Sequence, residues 1–207
     1  MPRVRVHQHV NPLAPHYRQS PLPVDLSVFA RPELPLHLDI GCARGRFLLR
    51  MAEVEPDWNF LGVEIRVPLV DEANRLAAEA GLPNLRYEFC NAMLWLGRLL
   101  ENIPEGLLRR VTIQFPDPWF KKKHAKRRMV NRELVEAIES MLSPGGRIFI
   151  QTDIEFLADE MFGLFTASPH FCEIETDRNP FHVKTEREKS VEFKGLPVYR
   201  RIFERSE

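Results

Sequence analysis

From Leu36 onward the chain alternates two kinds of segment. Short apolar runs rich in β-branched residues are followed by longer stretches in which apolar residues recur every three to four positions. The spacing predicts strands over residues 36–40, 60–65, 84–90, 111–115 and 147–151. It predicts helices over 47–54, 69–80, 92–100 and 154–167, and another that starts at the N-cap Asn131 and stops before Ser143-Pro144-Gly145-Gly146. Gly81 reads as the C-cap of the second helix. Strands separated by helices of this length form βαβ units with right-handed crossovers. That restricts the chain to an α/β architecture: a mainly parallel sheet with helices on both faces. The end differs. Residues 171–176 and 198–204 read as strands joined by a polar loop without a helix, and so as an antiparallel pair closing the sheet.

Residues 1–30 lie outside this alternation. Pro12, Pro15, Pro21 and Pro23, with few apolar runs, predict an irregular proline-rich arm ahead of a single domain over 31–207. His7 and His9 have metal-ligand spacing but no third ligand nearby, so exposed histidines are expected there and no metal site. Arg3, Arg5 and Arg18 would add to a polyanion surface if the arm docks. No apolar run approaches the roughly 18 residues of a membrane span, and no secretory signal is visible. Cys42, Cys90 and Cys172 are too far apart for a zinc site. A sparse, odd count points to reduced thiols and a cytoplasmic protein. With 29 basic and 29 acidic residues the net charge is zero, so any polyanion-binding surface has to be a local patch.

One local patch is conspicuous. The fourth strand runs into Pro116-Asp117-Pro118, where proline ends the ladder and stiffens the turn. Trp119 follows, and the segment 121–128, KKKHAKRR, holds six Lys or Arg. A carboxylate, an aromatic ring and a cationic run thus stand at the carboxyl end of a strand, where open α/β sheets place their ligands.

A second motif, DIGCARG, follows the first strand, and its glycines Gly41 and Gly45 let a ligand approach the backbone. The spacing is not that of dinucleotide binders. Asp39, two positions before the first glycine, sits poorly beside a pyrophosphate and suits a cationic ligand. Glu64 ends the second strand, about 20 residues on, where an acidic residue commonly takes ribose hydroxyls. Asn91, after the third strand, can hydrogen-bond an adenine edge. Together they describe a nucleoside with a positive group, and S-adenosylmethionine fits.

DIGCARGRFL, FLGVEIR, FCNAM, FPDPWFKKKHAKRR, LSPGGRIFIQTD and TEREKS together resemble the bacterial tRNA (guanine-N7-)-methyltransferase family over roughly residues 36–205. The resemblance implies a class I, Rossmann-like methyltransferase fold: a mainly parallel seven-stranded sheet with an antiparallel C-terminal strand. It implies S-adenosylmethionine as cofactor and tRNA as partner, with transfer of methyl to N7 of a variable-loop guanosine. Family cofactor contacts fall on Asp39, Gly41, Gly45, Glu64, Asn91 and Asp117, and substrate contacts on Lys121, Asp153, Thr185 and Glu188. Ala43 replaces a glycine usual in the turn. Asn91 stands where many members carry Asp, and both side chains can accept from the adenine amino group. Glu186-Arg187 replaces a more usual Lys-Phe.

Guanine N7 carries an in-plane lone pair and no proton, so the chemistry is mostly alignment and needs no general base. Alkylation makes the base cationic, and a carboxylate accepting from guanine N1–H and N2–H would hold and stabilise it. Asp117 is the leading candidate, followed by Asp153 and Glu188. Lys121 would position a phosphate or guanine O6. Trp119 either stacks on the base or plugs the core beneath the loop. Two other readings stand beside this one: a methyltransferase acting on another RNA or a small substrate, and a non-catalytic RNA-binding subunit on the same scaffold. The sequence leaves monomer and homodimer both open.

Overall fold

The computed structural model describes residues 10–207. Its strands are β1 (Leu36–Ile40), β2 (Asn59–Glu64), β3 (Leu85–Phe89), β4 (Leu108–Gln114), β5 (Arg147–Thr152), β6 (Phe171–Glu175) and β7 (Tyr199–Arg205). Its helices are α1 (Arg46–Val54), α2 (Val67–Glu79), α3 (Ala92–Leu100), α4 (Arg132–Met141), α5 (Glu155–Thr166) and α6 (Glu186–Phe193). They form one seven-stranded sheet in the order β3-β2-β1-β4-β5-β7-β6. β1 to β5 are parallel, while β7 runs antiparallel to both its neighbours. The chain winds outward from β1 to β3, then crosses over to β4. A crevice therefore opens at the carboxyl ends of β1 and β4, the switch point where such sheets bind ligands.

Each face of the sheet carries its own core. Leu36, Leu38 and Ile40 of β1 pack with Val111, Ile113, Ile148 and Ile150 against residues of α3, α4 and α5. On the opposite face Phe47, Leu48 and Met51 of α1 pack with Phe60, Val70 and Tyr87. Every residue of β1 and β2 is buried, as parallel strands covered on both sides require. The helix ends follow local chemistry. Asn131 Oδ1 accepts from Leu134 N–H at 2.8 Å at the start of α4. Gly81, at φ +65°, ends α2. There Leu82 N–H reaches back to Ala77 C=O at 3.2 Å, a Schellman closure.

Two expectations need correction. β4 begins at Leu108, three residues before its expected start. Arg109 and Arg110 hid it, because Arg110 looks like a loop residue yet lies 4.0 Å over the Trp58 ring and pairs with Glu55 at 2.8 Å. More consequentially, the connection between β6 and β7 is not a loop alone: it contains α6. Apolar periodicity cannot reveal this helix, since it buries only Glu188 and Val191. Capping starts it instead, with Thr185 Oγ1 accepting from Glu188 N–H at 3.0 Å.

What holds α6 to the sheet is polar. The Glu188 carboxylate is fully buried. It accepts from Arg200 Nη2 of β7 at 3.0 Å, Gln151 Nε2 of β5 at 3.1 Å and Asn179 Nδ2 at 2.8 Å. A buried charge survives only with its bonds satisfied in this way.

The arm, residues 10–30, is irregular apart from short 3-10 turns at Pro15–Tyr17 and Leu26–Val28. Val24 and Phe29 enter the core, and Val24 N–H bonds Leu99 C=O at 2.8 Å. Arg3, Arg5, His7 and His9 lie outside the described residues. Among the described residues there is no cluster able to hold a metal ion and no helix long and apolar enough to cross a membrane.

Removing one member of the buried pair strands the other. Arg200→Met should lower the unfolding free energy by about 3–5 kcal/mol, measured by urea denaturation. The double variant Arg200→Met/Glu188→Leu should recover a large part of that loss.

Candidate functional site

At the switch point lies a cleft of about 840 Å³. Its floor is built from strand ends. Asp39 comes from β1, Glu64 from β2 and Asn91 from the end of β3; all three are almost completely buried. Gly41, Ala43 and Arg44 of the β1–α1 turn form one wall. Gly45 is buried behind that turn at φ +69°, and a Cβ there would stand 2.4 Å from the Tyr87 ring, so no larger residue fits. The opposite wall runs from Gln114 through Asp117 to Phe120, with Arg127, Asp153, Thr185 and Arg187 completing the rim.

The cleft thus gathers Asp39, Gly41, Glu64, Asn91, Asp117, Asp153 and Thr185. It does not gather Gly45, Lys121 or Glu188. Gly45 acts from behind, by the space it leaves for Tyr87. Lys121 is exposed and stands at the N-cap position of the 3-10 helix Lys122–Arg127, with no side-chain capping bond. Glu188 faces the opposite way, into the network that pins α6. Gln114 and Arg66 were not among the expected site residues, and Arg127 was expected only as one cation of the 121–128 run. Arg66 sits inside the quoted FLGVEIR run, whereas a lone Gln at a strand end carries no signal.

Each acidic group has its own setting. Asp39 Oδ1 accepts from Thr112 Oγ1 at 2.6 Å, and Thr112 Oγ1 lies 3.1 Å from His37 Nε2. With its proton given to Asp39, the threonine hydroxyl can only accept from His37, which fixes that imidazole as the Nε2–H tautomer. Burial, reinforced by the charge of Arg110, holds His37 well below its usual value and therefore neutral. Burial also raises the Asp39 carboxyl to about 6, against the opposing pull of the Thr112 hydrogen bond and of the nearby Gln114 amide and with a small push from Glu64. Glu64 accepts from Ala43 N–H at 3.0 Å and from Arg66 Nε at 2.9 Å. The first bond holds Ala43 at φ +50°, a left-handed conformation that glycine would adopt more cheaply. This is where the alanine replacement in the turn is absorbed.

The FPDPW turn is strained. Phe115 at φ +51° and Trp119 at φ +43° both occupy the left-handed region, which bulky residues avoid. Phe115 N–H still bonds Gln151 C=O at 2.8 Å, the last rung of the ladder. Past the prolines, Arg128 clamps the turn: Nε donates to Pro118 C=O at 3.1 Å and Nη1 pairs with Glu160. The Arg127 guanidinium lies 4.9 Å over the Trp119 ring. Two of the six cations of the basic run are therefore engaged locally, while Lys121, Lys122, Lys123 and Lys126 are exposed. Asp117, also exposed, stands between these lysines and the buried acidic floor, close enough to Arg66 to strengthen that side chain's hold on its proton.

Asn91 does more than line the floor. Its Nδ2 donates to Pro12 C=O at 2.8 Å and to Tyr17 C=O at 3.1 Å, tying the arm across the cleft edge, which Val10 and Pro12 also line. Trp95 Nε1 adds a bond to Arg18 C=O at 3.2 Å. An aspartate could not donate to these carbonyls, so the departure at this position goes with the docked arm.

A family model described as "Putative methyltransferase" matches residues 33–201. Curated cyanobacterial proteins named tRNA (guanine-N(7)-)-methyltransferase match nearly end to end. One from Trichormus variabilis is 54% identical, covering 99% of this chain and 98% of the relative. One from Thermosynechococcus vestitus is 49% identical, covering 98% and 95%. Among solved structures, an rRNA methylase from Streptococcus thermophilus superposes with a TM-score of 0.54 at 12% identity, covering 88% of this chain and 92% of that one. An aminoglycoside resistance methyltransferase gives 0.54 at 18%, covering 87% and 89%. These two carry the fold only: the Rossmann-like class I methyltransferase fold. At such identity and coverage to its curated relatives, the chain belongs to the tRNA (guanine-N7-)-methyltransferase family.

Two outcomes follow from the geometry. Asn91→Asp should release the arm, read as faster amide hydrogen exchange and proteolysis within residues 12–18 while the sheet stays protected. Asp39 has a folded-state pKa raised from 3.8 to about 6. Its stabilising contribution is therefore complete below the unfolded value and lost as pH rises through about 6. Asp39→Asn should raise the stability of the ligand-free protein at pH 7.5 by up to about 3 kcal/mol, with little change at pH 4, in urea melts at the two pH values.

Proposed function

We propose that this chain transfers a methyl group from S-adenosylmethionine to N7 of a guanosine in the variable loop of tRNA. One observation carries the reading. In a member of this family, Asp117 stands on a strained, clamped turn with a buried acidic cleft floor on one side and four exposed lysines on the other.

The cleft fits the cofactor. A buried carboxylate at Asp39 suits a cationic amino-acid end, the β1–α1 turn gives backbone access, and about 840 Å³ is enough for a nucleoside with a base beside it. When bound, S-adenosylmethionine supplies a sulfonium methyl that guanine N7 attacks through its in-plane lone pair. Asp39 binds the ammonium and keeps the positive end of the cofactor at the cleft floor. Glu64, held by Ala43 N–H and by the backbone and guanidinium of Arg66, takes the ribose hydroxyls in exchange for its guanidinium bonds. Asn91 offers Oδ1 to the adenine amino group while its amide N–H bonds hold the arm. Asp117 accepts from guanine N1–H and N2–H and offsets the positive charge that N7 alkylation places on the base. Since N7 bears no proton, no group has to act as general base, and Asp117 works by alignment and charge. Asp153 and Thr185 line the substrate side, and Arg187 pairs with Asp153 at the rim. Glu188 supports that rim from below by fixing α6. The exposed lysines, Lys121 included, bind the phosphate backbone, which makes tRNA affinity strongly salt-dependent.

Incubating unmodified tRNA with the protein and S-adenosylmethionine, then analysing nucleosides, should yield 7-methylguanosine; another methylated nucleoside, or none, defeats the proposal. Asp117→Ala should lower turnover by roughly a hundredfold or more, the scale seen when one transition-state contact is lost, while tRNA affinity in filter binding changes little.

A further inference from the structure

The amide of Gln114 is held in one orientation by a chain of groups whose polarity cannot be inverted. Gln114, Gln151 and Arg200 are direct cross-strand neighbours on β4, β5 and β7. Arginine only donates, so its Nε bond at 3.1 Å forces Gln151 to present Oε1 to Arg200. Gln151 Nε2 then faces the other way, donating to the acceptor-only Glu188 carboxylate at 3.1 Å and to Gln114 at 2.8 Å. Gln114 must meet that donor with Oε1. Its own NH₂ group is thereby turned toward Asp39 and the cleft. There Gln114 Nε2 is buried and has no hydrogen-bond partner among the described residues. It stands near enough to Asp39 to draw that carboxyl down, but not in hydrogen-bonding geometry with it. A buried amide donor left unsatisfied costs stability. A donor in this position, on the cleft wall and fixed through Gln151 by Arg200, is preorganised for an acceptor that arrives with a ligand.

We infer that Gln114 Nε2 binds the α-carboxylate of the cofactor's amino-acid end. The inference rests on the cofactor reading above and extends it. In an α-amino acid the ammonium and the carboxylate hang from one carbon. If Asp39 takes the ammonium, the carboxylate must lie beside Asp39 and needs donors there. Thr112, also beside Asp39, has its proton committed to the Asp39 carboxylate, and Arg66 is engaged with Glu64. The Gln114 amide faces the same spot with its donor open. Asp39 and Gln114 thus form an acceptor–donor pair matched to a zwitterion. Arg200, buried behind them, sets the polarity without touching the ligand and acts as a positioning residue.

The test separates the two ends of that zwitterion. S-adenosylhomocysteine is compared with its decarboxylated analogue, which keeps the amine and has hydrogen in place of the carboxylate. Both are titrated calorimetrically against the intact protein. Gln114→Met, which keeps size and removes the donor, should weaken S-adenosylhomocysteine binding roughly ten- to a hundredfold, as expected for a hydrogen bond to a charged group. It should leave the analogue within about twofold. Gln114→Glu keeps the acceptor for Gln151 but replaces the donor with an oxygen. It should weaken S-adenosylhomocysteine further and strengthen the amine analogue. Equal losses for both ligands would show that Gln114 acts through Asp39, and unchanged affinities would show no contact; either result overturns the inference. In the wild-type protein the ¹⁵N-labelled Gln114 side-chain amide should shift with S-adenosylhomocysteine and not with the analogue, which decides the matter if neither variant folds. A wild-type protein that binds neither ligand would instead refute the proposed function.

Discussion

The buried carboxylate of Glu188 is the point on which the site's architecture depends. A charge in the interior must be met by donors from every direction, and here they come from β5, β7 and the segment before α6. Meeting that demand places α6 over the sheet and so brings Thr185 and Arg187 to the rim of the cleft. It also orients Gln151, and through Gln151 the amide of Gln114. One electrostatic requirement therefore fixes a helix with almost no apolar face and sets the hydrogen-bond polarity of the cleft wall about two strands away. Hydrophobic burial alone could do neither, because it has no direction.

The cleft itself is graded. Asp39, Glu64 and Asn91 lie on its dry floor, where burial pushes the Asp39 carboxyl up to about 6. Asp117 stands at its wet edge, on a turn kept in an unfavourable backbone conformation by flanking prolines and by Arg128. Beyond it the charge changes sign. In the proposed function a small zwitterionic cofactor and a large polyanion would meet on opposite sides of this carboxylate, without competing for the same groups. Local engagement of Arg127 and Arg128 leaves four of the six cations of the run, all lysines, exposed.

Much of this was legible in the chain. Apolar periodicity located the first five strands and the helices between them. Asn131 and Gly81 marked helix ends through side-chain and backbone chemistry that acts within four residues. The glycine turn and the FPDPW run announced the cleft. Less visible was anything whose cause lies far along the chain. The start of β4 was obscured by Arg109 and Arg110, of which Arg110 packs on Trp58 and pairs with Glu55. Glu188 looked like a substrate contact because it shares a motif with Thr185, yet its partners are Arg200 and Gln151. Asn91 looked like an adenine contact alone, and its bonds to Pro12 and Tyr17 were out of sight.

By itself, then, the sequence determined the α/β class, the alternation of elements, the two turns and the kind of ligand they suit, because strand and helix patterns and proline or glycine geometry are local properties. Tertiary structure alone decided which carboxylates face the cleft, how α6 and the arm are attached to it, and which way the Gln114 amide points. Those outcomes rest on hydrogen bonds between residues tens of positions apart. Such a bond exists only once the sheet has brought its strands into register.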